Sequence, residues 1–211
     1  MKYFLKNACI AVLMAFMLPF TAKGQHAEQM LGLENQQQRG NVKNWAQNVL
    51  AISFNPGFIT SKVDTGYGEK SWVGGTGFTA DYRCVFRSGF GFGLAYSHSQ
   101  TNYDTGWNGS TSVKLDYFGP SFVMASPIGE HWSARLSWGI GYALYSDGYD
   151  SQGGFGYQFM GGVEYRLGRV MALGVDLTET VHTFSRNEST PKGKVNGFSR
   201  LGLNMGLRLY M

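Results

Sequence analysis

Cysteine is almost absent: the 211 residues include two, Cys9 and Cys84. Cys9 falls in the leader described below, so Cys84 is the one thiol of the mature chain and no intramolecular disulfide is available to staple it. Proline is scarce, with 5 residues, so long extended segments run without interruption. Past the leader there is no apolar run long enough to cross a bilayer as a helix. No histidines are spaced i, i+2 or i, i+4, and no cysteines cluster, which excludes the common metal-ligand patterns. Charge of one sign is lacking too. The chain has 18 Lys+Arg against 14 Asp+Glu, but Lys2, Lys6 and Lys23 belong to the leader. The remaining 15 basic and 14 acidic residues leave +1, too little to argue for nucleic acid. The 30 glycines carry no G-x-y period, so collagen is excluded as well.

What is present begins with an export signal. Lys2 and Lys6 form a positive n-region, Ala8 to Phe20 an apolar h-region, and Ala22 and Gly24 the small residues of a cleavage site. Residues 1–24 are therefore expected to be removed. Residues 25–47, with Gln36, Gln37 and Gln38, read as a periplasmic tether. A short interfacial helix carrying Ala27, Met30, Leu31 and Glu34 is the sharper alternative for that segment. Residues 48–211 carry the fold.

Within them, apolar residues recur at every second position. Trp132, Ala134, Leu136, Trp138, Ile140, Tyr142 and Leu144 form one set, with small or charged residues between them. A period of two is that of a β-strand, whose successive side chains face opposite sides. The pattern recurs about eight times at spanning length behind an export signal, which predicts an all-β, antiparallel up-and-down transmembrane β-barrel of eight strands. Glycines alternate with aromatics, as in Gly89-Phe90-Gly91-Phe92-Gly93, which suits a narrow barrel with small residues inside and large ones toward lipid.

The first strand uses Leu50, Ile52, Phe54 and Phe58 outward, with Pro56 interrupting. The fourth changes phase. Val113, Leu115 and Tyr117 open one face, and Phe118, Pro120, Phe122 and Met124 occupy the other. A β-bulge near Gly119-Pro120 would restore a continuous lipid face. Short connections at Arg87-Ser88, Ser126 to His131 and Gly168-Arg169 alternate with longer polar ones near 61–71, 99–112, 146–153 and 184–197. Tight periplasmic turns and longer outside loops are the expected assignment, and an even strand number puts both termini in the periplasm.

The signal, the eight alternating strands and the last strand, Leu201 to Met211, resemble the small outer-membrane barrels of the OmpA/OmpX type. The resemblance covers about four-fifths of the chain and is one of architecture. It implies outer-membrane lipid and lipopolysaccharide as surroundings. It also implies insertion by the outer-membrane assembly machinery, which in that family reads an aromatic-ended final strand. Here the aromatic is Tyr210, followed by Met211. A peptidoglycan-binding domain of the OmpA kind is not expected, and a monomer is.

The inward set holds Asp81, Arg83, Lys114, Asp116, Arg135, Glu164, Arg166, Asp176, Arg200 and Arg208. Eight-stranded barrels fill their interior with side chains, and buried charges need partners. A lumen charge network is therefore expected from Asp81, Arg83, Arg135, Glu164, Arg166, Asp176, Arg200 and Arg208. A plug of this kind points to a structural or surface-interaction role through the outside loops. Tyr103, Trp107 and Tyr149 are the candidate contact residues for an unknown extracellular ligand.

A lipid A-modifying enzyme is the alternative and a small-solute channel the third reading. His98 lies between Ser97 and Ser99, but adjacent strand residues point to opposite faces, so neither serine shares its face. His182 has Thr180 and Thr178 on its face, while His26 lies in the tether and His131 in a turn. No local Ser-His-acid set is visible, so no catalytic residues, cofactor or metal are assigned. Gly74-Gly75-Thr76-Gly77 lacks a following lysine and is no phosphate loop.

Overall fold

The computed structural model describes residues 46–61, 63–64, 69–70, 73–104, 110–147, 151–184 and 196–211. The expected leader, and the tether up to residue 45, lie outside the described residues.

Alternating sequence becomes strand throughout. In chain order the strands are β1 (Ala46–Phe54), β2 (Gly57–Ile59), β3 (Val63–Asp64), β4 (Glu69–Lys70), β5 (Val73–Phe86) and β6 (Phe90–Asp104). They continue with β7 (Ser110–Pro127), β8 (Trp132–Ser146), β9 (Ser151–Arg166), β10 (Met171–Phe184) and β11 (Asn196–Tyr210). β3 and β4 form a small separate hairpin. The other elements make one sheet in the order β1-β11-β10-β9-β8-β7-β6-β5-β2, closed by β1–β5 and β11–β2 pairs. Every pairing is antiparallel. β1 and β2 together act as one barrel strand. It is broken at Asn55-Pro56, where proline has no N–H to give and the Pro56 carbonyl instead accepts from Leu203 N at 2.8 Å. The barrel therefore has eight strands, as the alternation predicts.

Closure matters because the described residues hold no disulfide, Cys84 being free: an eight-strand ring pairs every edge. The expected asymmetry of the connections holds only in part: about four residues separate β7 from β8 and β9 from β10, and equally β8 from β9, whose connection is expected to be long. β5 passes to β6 through a tight turn in which Gly89 N donates to the Phe86 carbonyl at 3.0 Å. Gly89 has φ 82°, and a Cβ there would come within 2.7 Å of the Ala125 carbonyl oxygen, so a side chain is excluded on both counts. Ala46 pairs with Phe86 and Val49 with Tyr210, so both described chain ends lie at the short-turn end.

The outer wall is apolar. Ile52, Phe92, Phe118, Trp138, Phe155 and Leu177 are each more than half exposed around the barrel. That much exposed apolar surface is unstable in water and is at home in lipid.

β7 corrects the expectation of a bulge. It pairs with β6 in one unbroken register from Phe90↔Met124 to Asp104↔Ser110. Against β8 the same register holds on both sides of Pro120. Val113, Leu115 and Tyr117 are therefore inward and almost fully buried, on the same face as Ser121 and Val123. Lys114 and Asp116 are correspondingly on the outer face and not in the inward set. The physical reason lies in the lumen. Its outer end is closed by apolar side chains, Ile59, Val113 and Leu115 packed with Tyr145 and Phe198, so at that level an apolar residue need not face lipid.

Candidate functional site: the filled lumen

The inward faces stack in levels. At the short-turn end Val49, Ala172 and Tyr210 form an apolar floor. Above it is a charge network built from five strands. β5 brings Asp81 and Arg83, β8 Arg135, β9 Glu164, β10 Asp176 and β11 Arg208, all buried. Arg135 is the hub. It donates from Nη1 to Asp81 at 2.9 Å, and from Nη2 and Nε to the two Asp176 oxygens at 2.6 and 3.3 Å. Its Nε is also 3.8 Å from Glu164. Arg208 donates from Nη2 to Asp176 at 2.6 Å and from Nη1 to the Ser53 hydroxyl at 2.7 Å. Arg83 donates to Glu164, whose other oxygen accepts from the Tyr210 hydroxyl at 2.7 Å. Three arginines meet three carboxylates, so the cluster is neutral. Fork-shaped guanidinium contacts satisfy the carboxylate oxygens in the way a buried charge requires.

Glycine makes room for this packing at Gly174, where a Cβ would stand 2.7 Å from Arg208 Nε, and at Gly162. Gly162 lies opposite Asp176, and a Cβ there would stand 2.5 Å from both the Asp176 Cα and its carboxylate oxygen. Gly162→Val is expected to destabilise the barrel by about 1–3 kcal/mol, the cost of overpacking a filled interior. Urea titration of the protein in vesicles checks it, and unchanged stability would mean that the carboxylate has space to move.

Next comes a polar level. Asn55 donates to Asn204, and Asn204 Nδ2 donates to the Thr178 hydroxyl at 2.6 Å, with the Thr79 hydroxyl 3.2 Å from Asn204 Oδ1. The uppermost level is an aromatic lid. Tyr145 stacks on Phe198 at 5.2 Å, and Phe184 contacts both rings at 5.9 and 6.2 Å.

Of the eight residues expected in one network, six meet and two do not. Arg166 is exposed at the last position of β9, where it lies 4.8 Å above the Tyr210 ring and donates to Gln47 at 3.4 Å. At the rim it has water, so it needs no buried partner. Arg200 is in the lumen but higher up, bonded to Asn55 alone. The Tyr103 side chain, Trp107 and Tyr149 lie outside the described residues.

The lid residues Tyr145, Phe184 and Phe198 went unassigned in the sequence reading. Their signal was available: each is an aromatic out of phase with the lipid-facing set of its own strand.

Outside the lumen, a hydrogen-bonded polar cluster stands on the lipid-facing wall toward the long-loop end. His98 Nδ1 is 2.8 Å from Asp116 Oδ1, and the Tyr96 hydroxyl donates to the same oxygen at 2.8 Å. His98 and Asp116 are cross-strand partners on β6 and β7, which is why the sequence spacing hid the pair. Ser99 is inward and its hydroxyl donates to the Leu115 carbonyl at 3.4 Å. Among the described residues no group of three or more His, Cys, Asp or Glu could hold a metal ion.

A closed eight-strand ring with an apolar outer wall and a charged, filled interior defines a transmembrane barrel of the outer-membrane type. Residues 10–207 match the family described as outer membrane protein beta-barrel domain, and the chain belongs to that family. Its place is accordingly the outer membrane. The fold is similar to that of OprG from Pseudomonas aeruginosa, with a TM-score of 0.52 and 12% identity over 79% of this chain and 96% of that one. Neisserial surface protein A gives 0.50 at 18% identity over 77% and 96%. The outer membrane protein AlkL gives 0.50 at 15% identity over 82% and 93%. No curated protein matches the sequence. At these identities the likeness is one of fold, and function has to be argued from the chain itself.

Proposed function

We propose that this barrel acts at the cell surface through its outside loops, as a structural or binding protein, and conducts no solute. The observation that carries this reading is the neutral six-member network under an aromatic lid, which occupies the space a pore would need. Eight strands leave an interior just wide enough for side chains. The short-turn end with both described chain ends faces the periplasm. The loops bearing Trp107 and Tyr149, and the strand end at Tyr103, face outward and meet an extracellular ligand. Aromatic loop residues suit such contacts.

A second reading, a lipid-modifying enzyme, is favoured by the His98–Asp116 pair on the outer wall. A carboxylate on Nδ1 orients an imidazole so that Nε2 is free to take a proton. Against it, no serine or threonine hydroxyl bonds to His98 among the described residues.

One set of measurements separates these readings. In planar bilayers the purified protein is expected to pass little steady current. Lipid A incubated with it is expected to keep its mass, and His98→Ala and His182→Ala to change no phenotype. Replacement of residues 101–111 is expected to alter surface binding. A lipid A mass change that vanishes in His98→Ala would make it an enzyme, and large stable currents would make it a channel.

A further inference from the structure

The outer wall is uneven near the short-turn end. Trp132 on β8, Val163 and Tyr165 on β9, and Leu173 and Val175 on β10 line a groove of about 370 Å³. Register explains it. Trp132, Tyr165 and Leu173 form one cross-strand row, Ala134, Val163 and Val175 the next, and Leu136, Gly161 and Leu177 the one after. β9, the middle strand, thus carries Val163 and then Gly161 between the bulkier Tyr165 and Phe159. The wall sinks along that strand. Its lower edge is aromatic: the Trp132 and Tyr165 rings lie 5.0 Å apart, inclined at 57°.

A membrane barrel has hydrocarbon against this wall. The groove is narrow and apolar, which matches a single acyl chain. A second barrel wall fits it less well, because the half-exposed rings of Trp132 and Trp138 stand out beside it and hold a flat surface away. The rim below selects the headgroup. His131, exposed in the β7–β8 turn, has its ring 5.8 Å from that of Tyr165. Arg169 is exposed in the turn that joins the strands bearing Tyr165 and Leu173. Among the described residues its guanidinium has no ion pair or hydrogen bond. Arg166 ends β9 on the same hairpin but is occupied by Tyr210 and Gln47. The β9–β10 turn contains no acid, and Glu130 is the one carboxylate of the β7–β8 turn. A free guanidinium beside an aromatic belt at a membrane surface attracts phosphate, and most of all a lipid of net negative charge.

We propose that the groove seats one acyl chain of an anionic phospholipid, with its phosphate held by Arg169 and the His131 ring. The aromatic edge of Trp132 and Tyr165 then meets the glycerol region, and Val163 and Val175 meet the chain. The natural lipid rests on the reading that the short turns face the periplasm, where phospholipid forms the leaflet. Symmetric vesicles test the seat without that orientation, and protease cleavage of residues 101–111 on whole cells tests the orientation separately.

The test uses the mature protein with Trp45→Phe, Trp72→Phe, Trp107→Phe and Trp138→Phe, so that Trp132 alone fluoresces. It is placed in vesicles of phosphatidylcholine and phosphatidylglycerol, one or the other brominated on its chains. Brominated phosphatidylglycerol is expected to quench Trp132 at about one-fifth of the mole fraction that brominated phosphatidylcholine needs, the preference one arginine gives near an anionic surface. Arg169→Gln is expected to abolish the preference, and Val163→Phe, which fills the groove, to weaken quenching by both lipids. A control keeps its one tryptophan elsewhere on the wall, through Phe92→Trp with Trp132→Phe, and is expected to show no preference. Equal quenching of Trp132 by the two lipids, or the same preference in the control, would overturn the proposal in favour of unselective contact. Shielding of Trp132 from both lipids that grows with protein density would overturn it in favour of a second copy. If the single-tryptophan protein does not fold, the wild type released from mixed vesicles and weighed intact by mass spectrometry decides. One retained phosphatidylglycerol is expected there, and none, or phosphatidylcholine instead, overturns the seat.

Discussion

Arg135→Met is expected to destabilise the folded barrel by about 3–5 kcal/mol, the cost of removing one member of a buried ion cluster. Arg135 touches all three carboxylates, so its loss leaves three buried acids facing two arginines. The charge cannot relax outward, because the floor of Val49, Ala172 and Tyr210 closes the level below. Combining Arg135→Met with Asp176→Asn is expected to recover part of the loss, since the numbers of opposite charges become equal again. Coupling to Asp176, bonded through two nitrogens, is expected to exceed coupling to Glu164, whose contact is 3.8 Å. Reversible urea unfolding in vesicles measures both. A single variant within about 1 kcal/mol of wild type, below the usual range for a broken buried pair, would show that the cluster contributes little.

Leu136→Arg is expected to cost about 2–4 kcal/mol, the penalty for a charge on the lipid face near the midplane of a barrel. Leu136 lies outward on β8, across from Met124 and Gly161, with its Cδ1 resting over the space beside Gly161. Leu136→Ala keeps that face apolar and is expected to cost much less. Ser137→Arg sits one position along, inward and 3% exposed, so its cost comes from crowding rather than from lipid. Folding yields into vesicles and urea midpoints distinguish the three. Equal tolerance of arginine and alanine at 136 would contradict the outward assignment.

Two-residue alternation is enough to assign the lipid face of nearly every strand, the strand number and the break at Pro56. Alternation is covalent: once a segment is extended, neighbouring side chains must diverge, and no tertiary contact alters that. Sequence alone also shows that the interior charges need one another, because burial makes that demand wherever they lie.

Which charge meets which follows from barrel closure and register. Arg135 reaches Asp81 across 54 residues and Asp176 across 41, contacts made over the lumen between strands that are not neighbours in the sheet. Closure and register create those distances, and neither is written in a two-residue period. The same holds for His98 and Asp116, which only a cross-strand register brings together. Arg166 falls outside the network because the end of β9 reaches the watered rim, and Arg200 because its level lies above. In β7 apolar character itself was ambiguous. Val113, Leu115 and Tyr117 are as apolar as lipid-facing residues, and only the unbroken register with β6 turns them inward to close the lumen.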